Sequence, residues 1–182
     1  MTTRLGVAAL AAALCGAAAC GRDGQPPVTE AVPDSADQVL FGITHHITID
    51  GILRVRLFAD TTYFYQGSQT AELHGVRVEF YSPEGRLSST VRSREGTYYW
   101  RTQEMEARRD VVGTSPDGRR LETSILRYDR TTEQISGPNS FVFDAPDRHL
   151  EGDGFTADPD LTRIEAVRPR RGRIQGAEVR RP

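Results

Sequence analysis

Two cysteines, Cys15 and Cys20, and four histidines, His45, His46, His74 and His149, are the reactive side chains of this chain. Their spacing does not suit catalysis. His45 and His46 are adjacent, and on a strand neighbours point to opposite faces, so the two cannot chelate one metal. Asp158 and Asp160 flank Pro159, which reads as a turn rather than a carboxylate dyad. There is no C-x-x-C, H-E-x-x-H, G-x-S-x-G or phosphate-loop pattern. The sequence therefore predicts no enzyme, no metal site and no cofactor. Residue type and spacing agree at one position only. Cys20 directly follows Ala17-Ala18-Ala19, and a lone thiol there is best explained as a point of covalent attachment.

The segment before Cys20 supports that reading. Arg4 supplies a positive start, and an Ala/Leu-rich run extends from Leu5 to Ala19. As a helix the run would be roughly 22 Å long, short of the ~30 Å hydrocarbon core, so it predicts a cleaved leader rather than a permanent span. The Ala-Ala-Ala-Cys arrangement resembles a bacterial lipobox, with Ala17 where Leu is usual. That resemblance implies cleavage after residue 19 and a diacylglycerol thioether on Cys20. The alternative is an ordinary secretory signal cut nearby. Loss of Arg4 with the leader takes the net charge from −2 to −3. Cys15 leaves too, so the mature chain has one thiol and no internal disulfide. Residues 20–38, rich in Pro, Gly, Asp and Ala, read as a flexible linker. The basic residues are all Arg. Base bias explains this better than ligand choice, and nothing in the charge pattern suggests nucleic acid.

From about Val39 the pattern has a period of two. His45-Ile47-Ile49 and Leu53-Val55-Leu57 flank Asp50-Gly51, a hairpin signal. Val76-Val78-Phe80, Leu121-Thr123-Ile125 and Phe141-Phe143 continue the alternation, and no amphipathic helix competes with it. A turn recurs as Ser82-Pro83-Glu84-Gly85-Arg86, Ser115-Pro116-Asp117-Gly118-Arg119 and Ala145-Pro146-Asp147-Arg148. Pro at the second position and Gly at the fourth suit a type I turn. Aromatic strands precede each turn, at Tyr63-Phe64-Tyr65, Tyr98-Tyr99-Trp100 and Tyr128. A single unit cannot cover its apolar face, so the units must stack. The expected fold is all-β, a twisted antiparallel jellyroll or half-open sandwich of stacked hairpins over residues 39–168, with an Arg-rich disordered tail at 169–182. That tail could meet lipid phosphates, although a solvated end explains it more simply.

The order and spacing of several segments resemble the LptC family and the OstA-like β-fold it shares with its partners. They are Leu73-His74-Gly75-Val76-Arg77-Val78-Glu79-Phe80-Tyr81 with the Gly85 turn, Gly96-Thr97-Tyr98, Met105 to Val111, Leu121-Glu122-Thr123, Leu126-Arg127-Tyr128, and Leu150-Glu151-Gly152-Asp153-Gly154-Phe155. The resemblance spans about residues 39–167. It implies a jellyroll with an apolar interior and open ends. It also implies a periplasmic role: receiving lipopolysaccharide from the membrane subunits of an ABC transporter and passing it to a soluble OstA-like protein. Family members often carry one transmembrane helix. Here a lipid on Cys20 takes its place, with the inner membrane as the expected site. Gly21, where an Asp often marks inner-membrane retention, weakens that expectation.

An acyl-chain carrier needs an apolar trough, since each buried methylene contributes about 0.8 kcal/mol. The expected lining is Val78, Phe80, Tyr98, Leu121, Ile125, Phe141 and Phe143, residues that would serve as ordinary core in any sheet. Open sheets also leave edges that accept partner strands. The expected edges lie near Ile47 and Ile49 at one side and Ile164 at the other, one for the transporter and one for a soluble partner. The competing function is an envelope lipoprotein that scaffolds without carrying lipid.

Overall fold

A computed structural model of the chain describes residues 35–174. Cys20, the leader and most of the linker lie outside the described residues, as do residues 175–182. The described part is a single antiparallel sheet of nine strands, β1 Gln38–Ile49, β2 Ile52–Tyr65, β3 Thr70–Tyr81, β4 Leu87–Tyr99, β5 Glu104–Thr114, β6 Arg120–Asp129, β7 Gln134–Ala145, β8 Arg148–Ala157 and β9 Ile164–Ile174. Spatial order equals chain order. β1 and β9 are therefore the two edges of the described sheet. β9 extends past residue 168, where the expected tail begins. Pro169, Arg171 and Arg173 pair with Gly152, Glu151 and His149 of β8.

Turn chemistry closes the hairpins. Asp50 and Gly51 both have positive φ (51° and 79°), the requirement of a tight two-residue hairpin. In the Ser-Pro turns the Gly85 and Gly118 amides donate to the Ser82 and Ser115 carbonyls at 2.9 and 3.1 Å. Both glycines have positive φ, which completes a type I turn with a following bulge.

A line of bulges crosses the sheet. Pairing slips between Arg92 and Glu95, Arg108 and Val111, Thr123 and Arg127, and Gly137 and Ser140. These positions are neighbours on successive strands and form one crease. Bulges bend strands and sharpen twist, and here they also exchange the inward and outward faces. In β3, Ala71 and Leu73 are buried before the crease and Val76, Val78 and Phe80 after it. The creased sheet folds onto its own apolar face. Phe80 of β3 meets Tyr128 of β6 with ring centroids 5.1 Å apart, and Arg54 pairs with Glu133 at 2.8 Å. The Ser89 hydroxyl donates to the Pro159 carbonyl. The β8–β9 loop turns inward too, and its fully buried Leu161 packs over Gly113 beside Leu121 and Val91.

Candidate functional site

The expected lining residues are mostly solid core. Phe143 and Leu121 are wholly buried, and Val78, Phe80, Tyr98 and Phe141 nearly so. Ile125 is the exception. It is half-buried and outside the core cluster. The slip between Thr123 and Arg127 turns Leu126 and Tyr128 inward in its place, because a one-residue shift reverses the faces of a strand. Ile47 is buried at 3 % exposure. Ile49 and Ile164 are half-buried, and Ile164 packs against the core.

Through its centre the interior is filled. It opens beside β1, into a cavity of about 300 Å³ lined by Ile43, His45, Leu57, Phe64, Ala71, Leu73, Tyr98, Trp100 and Gln103. This is the lower end of small-molecule sites. Leu57, Ala71 and Leu73 are buried core residues that form its floor. Phe64 of β2 and Trp100, just after β4, stack at 5.3 Å and 15° as its outer wall. His45 of β1 reaches across to Tyr98 of β4, with Nε2 and the hydroxyl 3.3 Å apart and ring centroids 5.2 Å apart. Gly42 precedes this stretch with φ +62° and open space around it.

The electrostatics suit an apolar guest. Burial, reinforced by the neighbouring His46, lowers the His45 pKa below its ordinary value, so the imidazole is neutral near pH 7. Burial raises the Tyr98 hydroxyl. The polar side chains of the wall, His45, Tyr98 and Gln103, therefore carry no charge at neutral pH. The Gln103 side-chain oxygen is buried without a hydrogen-bond partner among the described residues, which leaves an acceptor at the mouth. Of the expected lining residues only Tyr98 reaches this cavity. Phe64 and Trp100 belong to aromatic runs visible in the sequence, but alternation does not show that Trp100 leaves the strand to cap the opening.

This combination of one creased, sequentially ordered sheet and an uncharged apolar mouth accords with what comparison with known proteins finds. The family model for lipopolysaccharide-assembly, LptC-related proteins matches residues 5–174. The chain belongs to that family. The LptC family acts in lipopolysaccharide transport as a non-enzymatic component, periplasmic and associated with the inner membrane, with lipopolysaccharide and the Lpt transporter as its partners. No curated protein sequence matches the chain.

Proposed function

We propose that this LptC-related chain binds an acyl portion of lipopolysaccharide at the mouth beside β1, receives it from the inner-membrane ABC transporter and passes it along a periplasmic β-bridge toward the outer membrane. Diacylated Cys20 holds the domain at the inner membrane, and more than one acyl chain anchors stably. The observation that carries the reading is the cavity under β1. It is apolar and uncharged, it is walled by Phe64 and Trp100, and it adjoins a strand whose outer edge has no partner among the described residues. One edge docks the transporter and the other a soluble OstA-like protein. A scaffold that carries no lipid is the second reading, and the filled centre around Phe143, Leu121 and Ile135 favours it.

Photocrosslinking in cells separates the two. A photoreactive residue at Phe64 or Trp100 is expected to capture lipopolysaccharide, and one at the exposed Arg92 is not. Capture from neither mouth position, in folded and membrane-attached protein, selects the scaffold. The buried Phe80 and Phe143 are poor probe sites, because enlarging a packed core residue costs stability.

A further inference from the structure

β9 carries a column of arginines along an open edge. Arg168, Arg171 and Arg173 lie opposite Asp153, Glu151 and His149 of β8. Leu150 packs on the core, so its neighbours His149 and Glu151, and with them Arg173 and Arg171, face outward. Arg170 pairs with Asp153 at 2.6 Å. All four arginines are exposed. On the β8 side the column is matched by two carboxylates, Glu151 and Asp153. Asp144, one strand further in, is held by the His149 Nδ1 at 2.6 Å. On the other side nothing in the described sheet faces it. β1, the opposite edge, contains no Asp, Glu or Arg.

We infer that β9 selects the strand it accepts by charge, and that its partner is an extended segment with acidic residues at alternate positions on the outer face. The inference rests on the reading that β9 is a docking edge and adds the chemistry of what docks. Directly opposed charges on neighbouring strands stabilise when unlike and destabilise when alike. A second β9 would set arginine against arginine, so this edge rejects its own copy. β1 has no carboxylate to offer, so head-to-tail stacking of this chain gains nothing from the column. Pro169 lacks an N–H and removes one donor from the edge, which further disfavours indiscriminate pairing. A membrane surface would also attract arginines. The strand spacing favours a peptide: Glu151 and Asp153, already in register with the column, show the carboxylate ladder that an incoming strand would repeat on the open side.

The test uses the full chain and two synthetic extended peptides, one alternating Glu with Val and the other alternating Lys with Val. The acidic peptide is expected to bind roughly tenfold more tightly, the sum of about three opposed pairs. The preference should shrink at high salt and reverse in the Arg168→Glu/Arg171→Glu/Arg173→Glu variant. The variant sets carboxylates against Asp153 and Glu151, so it should melt somewhat below the parent. Arg168→Gln/Arg171→Gln/Arg173→Gln avoids that repulsion, should keep the parent melting temperature and should abolish the preference. Equal binding of both peptides overturns the charge selection and leaves edge docking intact. If neither peptide binds, and phosphatidylglycerol vesicles bind through the same arginines, the column faces lipid and the docking role of β9 falls with it.

Discussion

Among the described residues β1 and β9 are the two edge strands, each with one unpaired row of backbone groups. They differ in what stands beside that row. β1 contains no Asp, Glu or Arg and has an apolar cavity beneath it, walled by its own Ile43 and His45. Its Phe41 is 58 % exposed. β9 is cationic, interrupted by Pro169, and its Val167 is 70 % exposed. An edge is a property of the backbone, whereas the choice of partner is a property of side chains. On the reading proposed above, lipid contact falls to the β1 side and charge-selected protein contact to the β9 side.

The largest expected effect probes how each edge is held. Ile47→Ala should cost about 2–5 kcal/mol of unfolding free energy in urea, the range for a deeply buried aliphatic residue. Val167→Ala should stay within about 0.5 kcal/mol. Equal losses would erase the distinction. Next in size is a pair of glycines. A Cβ at Gly152 would lie 2.7 Å from the Arg168 carbonyl oxygen and 3.0 Å from the Phe141 ring. Gly152→Ala should therefore push β9 off β8, costing about 1–3 kcal/mol and speeding amide exchange in β9. Gly42→Ala meets open space and should cost only its left-handed backbone penalty of about 1 kcal/mol.

A smaller effect sharpens the assignment of lipid to β1. Trp100→Ala removes the stacked wall and should weaken binding of a fluorescent fatty-acyl probe up to about tenfold. Arg171→Glu, at the other edge, should leave the probe's affinity unchanged. The smallest expected effect is the pH dependence that His149 adds on the β9 side. Hydrogen bonds to Asp144 first, and then to Glu151, raise the His149 pKa above its ordinary value. A raised histidine pKa adds stability that is fully present below the unfolded value of about 6.5 and is lost as pH rises through the folded one. The melting temperature of the parent relative to His149→Gln should therefore fall slightly between about pH 6 and pH 8, the comparison cancelling the opposite trend of His45, whose pKa is lowered. The site is exposed, so the change is small. A difference between parent and variant that stays constant with pH would remove His149 from the account.

Much of this architecture is legible in the chain. Asp50-Gly51 and the two Ser-Pro turns state their hairpins, because only certain residues accept the φ values those turns need. Val76, Val78 and Phe80 state an inward face. The crease is not legible. Its non-glycine members Arg109 and Asp110 adopt positive φ (62° and 53°) with no turn-forming dipeptide to announce it. For the same reason simple alternation carries Leu121-Thr123-Ile125 one residue too far. The mouth is half legible. The aromatic runs at 63–65 and 98–100 are plain, but which ring faces inward depends on where each strand crosses the crease. The end of β9 is hidden by its composition, since an arginine-rich run reads as solvated tail until Glu151 and Asp153 are known to lie beside it.

The strictly sequential strand order also bears on how the domain is made. Every strand pairs with the one just before it in the chain, across loops of two to six residues, so the pairing itself closes only short loops. Sheets built this way can assemble progressively, hairpin upon hairpin, while the chain is still arriving from its N-terminus. The contacts that fold the sheet onto itself, Arg54 with Glu133 and Ser89 with Pro159, must wait for the β6–β7 and β8–β9 loops. β1 and its mouth can thus take shape early, whereas β9 appears last. The two edges of the sheet are then separated in time as well as in space.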